Sequence, residues 1–155
     1  MKKCIGILWK YNKLGGAMKK EIEVVASIIL KKDRILCAQR KKGKYDYISY
    51  KYEFPGGKVE KNETLKEALI REIKEELGQK IEIKEKYITI HYEYPDFKIT
   101  MHSFICTIEK DTMFLKEHIN LKWLKLEELD KLDWAKADIP IVKKLRQFGV
   151  ELEGR

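Results

Sequence analysis

The segment from Pro55 to Gly78 constrains the chain more than any other, because it joins a change of direction to a helix with two unlike faces. Pro55 fixes its own φ, and Gly56 and Gly57 permit positive φ or a close backbone approach, so Pro55-Gly56-Gly57 reads as a turn. Thr64 with Glu67 three residues on has the form of a capping box, and Gly78 stands where helices commonly end, which predicts a helix over 64–77. Leu65, Leu69, Ile73 and Leu77, reinforced by Ile70, recur at helical spacing and predict a buried stripe. On the same helix Glu72, Glu75 and Glu76 fall within an arc of roughly 100°. Like charges so placed repel, and a solvated acidic face relieved by Lys74 and Arg71 is the plain alternative. Directly after a Gly-Gly segment that could expose backbone carbonyls, clustered oxygen ligands suit a hard cation such as Mg2+ or Mn2+.

Around this segment the pattern predicts strands. Glu21 to Leu30 and Ile35 to Arg40, joined by Lys31-Lys32-Asp33-Arg34, read as a β-hairpin. Lys41 to Lys51 is polar and carries Tyr45, Tyr47 and Tyr50, which predicts a surface loop leading into Tyr52-Glu53-Phe54. Lys80 to Tyr92 and Phe97 to Ile108 form a second hairpin across Tyr94-Pro95-Asp96. Leu121 to Leu124 is a short strand, Lys125 to Leu132 a turn or more of helix, and Asp138 to Gln147 a closing helix with Pro140 in its first turn. Strands and helices interleave as an α+β fold with no internal repeat and no linker.

At 155 residues, 44% of them hydrophobic, the chain suits one domain with a real core. The longest apolar stretch, Val24 to Leu30, contains Ser27 and falls far short of the roughly 18 residues that cross a bilayer. Met1 to Trp9 imitates the start of a signal peptide, but Lys10 interrupts it without a small-residue cleavage site. Met18-Lys19-Lys20 looks like a fresh start, and Leu14-Gly15-Gly16-Ala17 could be encoded by a purine-rich stretch resembling a ribosome-binding site. Residues 1–17 are therefore expected to be a translated leader dispensable for a single domain over 18–155; deleting them should leave melting temperature and activity unchanged. Cys4, Cys37 and Cys106 are too few and too scattered for a disulfide framework or a zinc ribbon, which makes a reducing cytoplasm the natural compartment. A net charge of +8 favours polyanions, although the lysines are scattered and most decorate a solvated surface.

Gly57, Glu63 and then Arg71-Glu72-Ile73-Lys74-Glu75-Glu76-Leu77-Gly78 resemble the signature of the Nudix hydrolases, a loop-helix-loop that binds metal and phosphate. Gln79 departs from the aliphatic residue usual there, and its packing role passes to Ile81. Tyr52 to Glu60 is similar to the MutT-type branch, and the likeness runs from about Glu21 to Leu145. It implies a mixed β-sheet sandwiched between α-helices. It also implies that Glu72, Glu75 and Glu76, with the carbonyl of Gly56, bind Mg2+ (Mn2+ as a substitute), Glu72 also activating water. Arg71 and Glu63 become orienting partners, and Arg40 contacts phosphate unless it is a plain surface arginine. Glu117, just ahead of the last strand, is the candidate general base or additional ligand, with an exposed loop glutamate as its rival. His91, His102 and His118 have no ligand spacing and count as ordinary strand or loop residues.

The resemblance further places Asp138, in Ala137-Asp138-Ile139-Pro140, opposite the nucleobase, where a carboxyl can accept from an exocyclic amino group. Cytosine, guanine and adenine are then preferred over uracil and thymine; helix N-capping is the plainer role for this residue. The Ala-Asp-Ile-Pro pattern is similar to the CTP pyrophosphohydrolase branch, which also accepts modified pyrimidine and oxidised purine nucleotides. Phe54, and Tyr52 beside it, could stack on a base. The implied activity is cleavage of a nucleoside triphosphate to monophosphate and pyrophosphate in nucleotide-pool sanitation. No membrane and no stable nucleic-acid partner is expected, and the chain would act as a monomer or homodimer. Hydrolysis of ADP-ribose or another nucleoside diphosphate derivative is the alternative, for which Pro95, 16 residues past Gln79, is a weak sign. A non-catalytic nucleotide-sensing module is the other, and the retained acidic positions argue against it.

Overall fold

In the computed structural model, which describes residues 19–110 and 112–151, the two expected hairpins form and join into one mixed sheet. Its strands are β1 (Lys20–Lys31), β2 (Arg34–Arg40), β3 (Tyr52–Glu53), β4 (Gly56–Lys58), β5 (Ile81–Glu93), β6 (Phe97–Ile108) and β7 (His118–Leu124). The helices are α1 (Leu65–Leu77) and α2 (Ile139–Phe148), with short 3-10 turns at Leu126–Lys131 and Lys136–Asp138. The expected leader over residues 1–17 lies outside the described residues.

What the local pattern does not reveal is how the hairpins meet. β1 runs parallel to β6 from Lys20 opposite Phe97 to Leu30 opposite Thr107, a pairing that needs a long crossover. α1 lies in that crossover. β1 also takes β4 antiparallel, and β2 takes β3 and β7.

Strand alternation then assigns the two faces of β1. Val25 and Ile29 pack with Leu69, Ile73 and Leu77 of α1, all buried, while Ala26, Ile28 and Leu30 pack with Ile141, Val142 and Leu145 of α2. The sheet is thus sandwiched between the helices, as expected. Each fully buried Leu or Ile of α1 contributes about 1.5–3 kcal/mol, so Ile73→Ala would cost about 2–5 kcal/mol.

α1 keeps its predicted bounds. Thr64 accepts from the Glu67 N–H, Glu67 reaches back to the Thr64 N–H, and Gly78 ends the helix at φ 69°. Two readings need correction. Ile70 does not reinforce the stripe; it is 42% exposed, and Ala68 fills the core in its place. Gly56 and Gly57 do not turn on positive φ, which among glycines is found only at Gly78 and Gly149 of the described residues. They extend as β4 against Val25 and Ala26, and their need for glycine is close approach. A Cβ on Gly56 would strike the Val25 carbonyl oxygen.

Candidate active site

A cavity of about 510 Å3 opens between β1, β4, the start of β7 and the 41–51 loop. Its acidic end is built by α1. Glu72 and Glu76 are 2% and 5% exposed and line the cavity with Gly56, Gly57 and Glu60. Glu75, the third carboxylate on that face, stays half exposed outside the cavity lining and meets Arg71 at 3.3 Å.

Arg71 organises this end. Its Nε and Nη2 grip both oxygens of Glu63 at 2.6 and 2.9 Å, Nη1 reaches Glu72 Oε1 at 2.9 Å, and Nη2 donates to the Lys58 carbonyl at 3.0 Å. The bidentate bond from Arg71 is the main cause that holds the Glu63 carboxyl below its ordinary range, as a planar fork on a carboxylate should.

The acidic end fits a hard divalent cation on two counts. Its donors are all oxygens, and a Cβ on Gly57 would run into the Glu72 carboxylate, so the missing side chain keeps a cradle open. Among the described residues no three His, Cys, Asp or Glu side chains close on one point. That arrangement suits Mg2+, which is held by one or two carboxylates and completes its shell with water and substrate phosphate.

The same cavity is lined by Phe54, Tyr94, Ala137 and Asp138. Asp138 stands at the N-cap position of α2, but its side chain does not cap the helix. It sits at φ −84° and ψ −19° with no side-chain bond to α2, and its Oδ1 accepts instead from the Phe54 N–H at 3.0 Å. Burial, then the charge of Glu53, pushes its carboxyl well above its ordinary value, towards the neutral acid. Phe54 is 3% exposed and stacked on Trp134 at 4.7 Å, so it is a wall of the cavity. Tyr52 does not line the cavity; its hydroxyl takes the Asn120 amide and its ring turns an edge to Trp134, which removes it as a stacking platform.

Arg40, Glu53, Glu117 and His118 also line the cavity. Arg40 is not a plain surface residue: Nη1 bonds Glu53 Oε1 at 2.8 Å. Glu117 stands at the mouth, 38% exposed and 3.7 Å from Lys41 Nζ. Burial opposes ionisation of Glu53, but the His118 hydrogen bond and the Arg40 charge outweigh it, and its carboxyl is held below the ordinary range.

No sequence motif marks Glu53 or His118, and by spacing alone His118 counts as an ordinary strand or loop residue. A signal existed for the first, a lone acid between two aromatics in an apolar segment. For His118 there was none, because β7 was expected to begin at Leu121 and begins three residues earlier. The tyrosine loop is more than a surface connection: Tyr45 stacks on Tyr47 and Tyr47 on Tyr94, and Tyr45, Ile48 and Phe97 line the cavity. Gln79 gives its amide to the Thr112 carbonyl, and Ile81 is 4% exposed in the α1 core, as expected.

Comparison with known proteins identifies the family and the fold. A family model described as the NUDIX domain matches residues 20–145. The "CTP pyrophosphohydrolase" of Escherichia coli (strain K12) is 37% identical over 124 residues, covering 80% of this chain and 90% of that protein. The "8-oxo-dGTP diphosphatase" of Buchnera aphidicola subsp. Schizaphis graminum is 34% identical, covering 83% and 96%. Among solved structures, the MutT protein (family Nudix hydrolase) of methicillin-resistant Staphylococcus aureus 252 is 46% identical with a TM-score of 0.67, covering 84% of this chain and 98% of that one.

Proposed function

The chain belongs to the Nudix hydrolase family, and from that premise we propose that it cleaves nucleoside triphosphates to the monophosphate and pyrophosphate, acting on cytosine or oxidised purine nucleotides. One observation carries the reading. Two buried carboxylates of α1 and the buried acid Asp138 line one cavity, which gives a single site groups for a phosphate chain and for a base.

Glu72 and Glu76, with the Gly56 carbonyl beside them and Glu75 at the rim, would hold Mg2+. When bound there, such a cation would neutralise charge and polarise a phosphoryl oxygen. Arg71 and Glu63 fix the direction of the Glu72 carboxylate. Arg40 faces the phosphates, and Glu117, at the solvent side of the mouth, takes the proton from the attacking water. Water adds to phosphorus, the bridging oxygen leaves with pyrophosphate, and the proton passes to Glu117.

Asp138 reads the base from a wall that also includes Phe54. A neutral carboxyl can accept from an exocyclic amino group and donate to a ring nitrogen, which favours cytosine, guanine and adenine over uracil and thymine. The names of the curated relatives support the same two substrate groups. Among the described residues no helix is long and apolar enough to cross a membrane. Cys37 and Cys106 are buried free thiols, which supports a reducing cytoplasm.

The test is release of pyrophosphate and orthophosphate with Mg2+ across normal and modified ribo- and deoxyribonucleoside triphosphates, with ADP-ribose included. Pyrophosphate from cytosine or oxidised purine triphosphates is expected. Activity confined to ADP-ribose would move the chain to the diphosphate-derivative branch, and none at all to a sensing role.

A further inference from the structure

Glu53 is held at both oxygens. Oε2 lies 2.9 Å from Nε2 of His118, and Oε1 lies 2.8 Å from Nη1 of Arg40. An ionised carboxylate only accepts, so the imidazole hydrogen in this contact sits on Nε2. Nδ1 of the same ring is buried without a hydrogen-bond partner, as is Nε of Arg40. Nδ1 is sealed from solvent and Nε2 is engaged by Glu53, so His118 offers the cavity no exposed polar atom, although its ring helps line it. Whatever it does there, it does through Glu53.

The strands are shaped for this contact. Arg40 ends β2, His118 opens β7, and the two are register partners at the point where the ladder shifts, Gln39 facing Asn120 and Arg40 facing His118. The extra residue, Ile119, makes a bulge, and bulges re-aim the side chains beside them. Here both flanking side chains converge on one carboxylate. A long guanidinium that is 38% exposed would otherwise sample many rotamers and lose them on binding phosphate.

Resting on the function proposed above, we propose that His118 is a positioning residue, which fixes the Glu53 carboxylate and through it holds the Arg40 guanidinium ready for the phosphates of the nucleotide. With the His118 bond removed, Glu53 can pivot and Arg40 follows it. The loss falls on binding of the phosphate chain more than on the chemical step.

The experiment measures kcat and KM by pyrophosphate release for His118→Leu and His118→Gln, each alone and with Glu53→Ala. Imidazole 1H–15N correlation spectra of the wild type report which ring nitrogen carries hydrogen. His118→Leu should raise KM about tenfold and change kcat less than about threefold, the scale of one lost charge-assisted hydrogen bond. Glutamine, whose amide nitrogen lies as many bonds from Cα as Nε2, should recover most of that loss. On the Glu53→Ala background, His118→Leu should add less than about twofold. Should the leucine variant misfold, His118→Asn, too short to reach Glu53, carries the same expectation. An unchanged KM, or an equal loss with and without Glu53, overturns the proposal, and so does a ring in an active enzyme with hydrogen on Nδ1 alone. A wild type that cleaves no nucleotide overturns the hydrolase reading and the phosphate role of Arg40 together, a result distinct from failure of the clamp.

Discussion

Keeping Glu72 and Glu76 buried one helical turn apart costs stability that two apolar side chains would not. Residues retained against stability point to a site. Glu76→Gln should therefore lower turnover on the order of 100-fold or more, while the melting temperature in chelator stays equal or rises. Near-normal turnover would remove Glu76 from the cation site, and the same assay on Glu75→Gln decides whether the exposed third carboxylate belongs to it. Asp138 makes a second residue-scale prediction with a definite sign. Its carboxyl is raised by burial and by Glu53, so between its ordinary value of 3.8 and its raised one the folded chain holds a proton that the unfolded chain has released. Stability falls as pH rises through that window. Asp138→Asn keeps an acceptor for the Phe54 N–H and cannot ionise, so it should flatten this slope and melt higher at neutral pH. Asp138→Ala should change the order of bases in the triphosphate panel, and an unchanged order would leave Asp138 with a structural role alone.

At the scale of elements, β4 and α1 separate two uses of glycine. Gly57→Ala presses a methyl on the Glu72 carboxylate and should cut turnover by at least about tenfold with little change in urea midpoint, because the collision is with a side chain. Gly56→Ala meets the Val25 carbonyl, backbone of the central strand, and should cost stability first. If both lose stability alike, the cradle at Gly57 is packing and not chemistry. These segments also mark how much was legible beforehand. α1 was, to within one residue at its start, because caps and apolar period are local and agree. The hairpins were, because each joins neighbours in sequence. The parallel β1–β6 pairing was not, since hydrophobic alternation is the same whichever partner a strand takes. Nor was the Glu53–His118 contact, made between residues 65 apart across a bulge no local pattern announces.

Charge acts at the scale of the whole molecule. The surplus of +8 looked diffuse along the sequence, yet folding brings Lys20, Lys41, Lys42, Lys44 and Lys58 to the lining of one cavity. Within it sit buried carboxylates that by themselves would repel a triphosphate. A lining rich in lysines raises the local concentration of an anionic substrate and speeds encounter, an effect that salt screens within about 8–10 Å. The chemical step, enclosed by β4 and α1, is screened far less. Raising ionic strength from about 50 to about 500 mM should accordingly lower kcat/KM several-fold and leave kcat nearly constant. Reversing Lys42 and Lys44 together to Glu should lower kcat/KM at low salt and flatten its dependence on salt, because these two lie on the loop and not among the proposed catalytic groups. A kcat that falls in step with kcat/KM would place the salt effect on the site itself. An unaltered slope in the double variant would mean that the rim lysines merely decorate the surface.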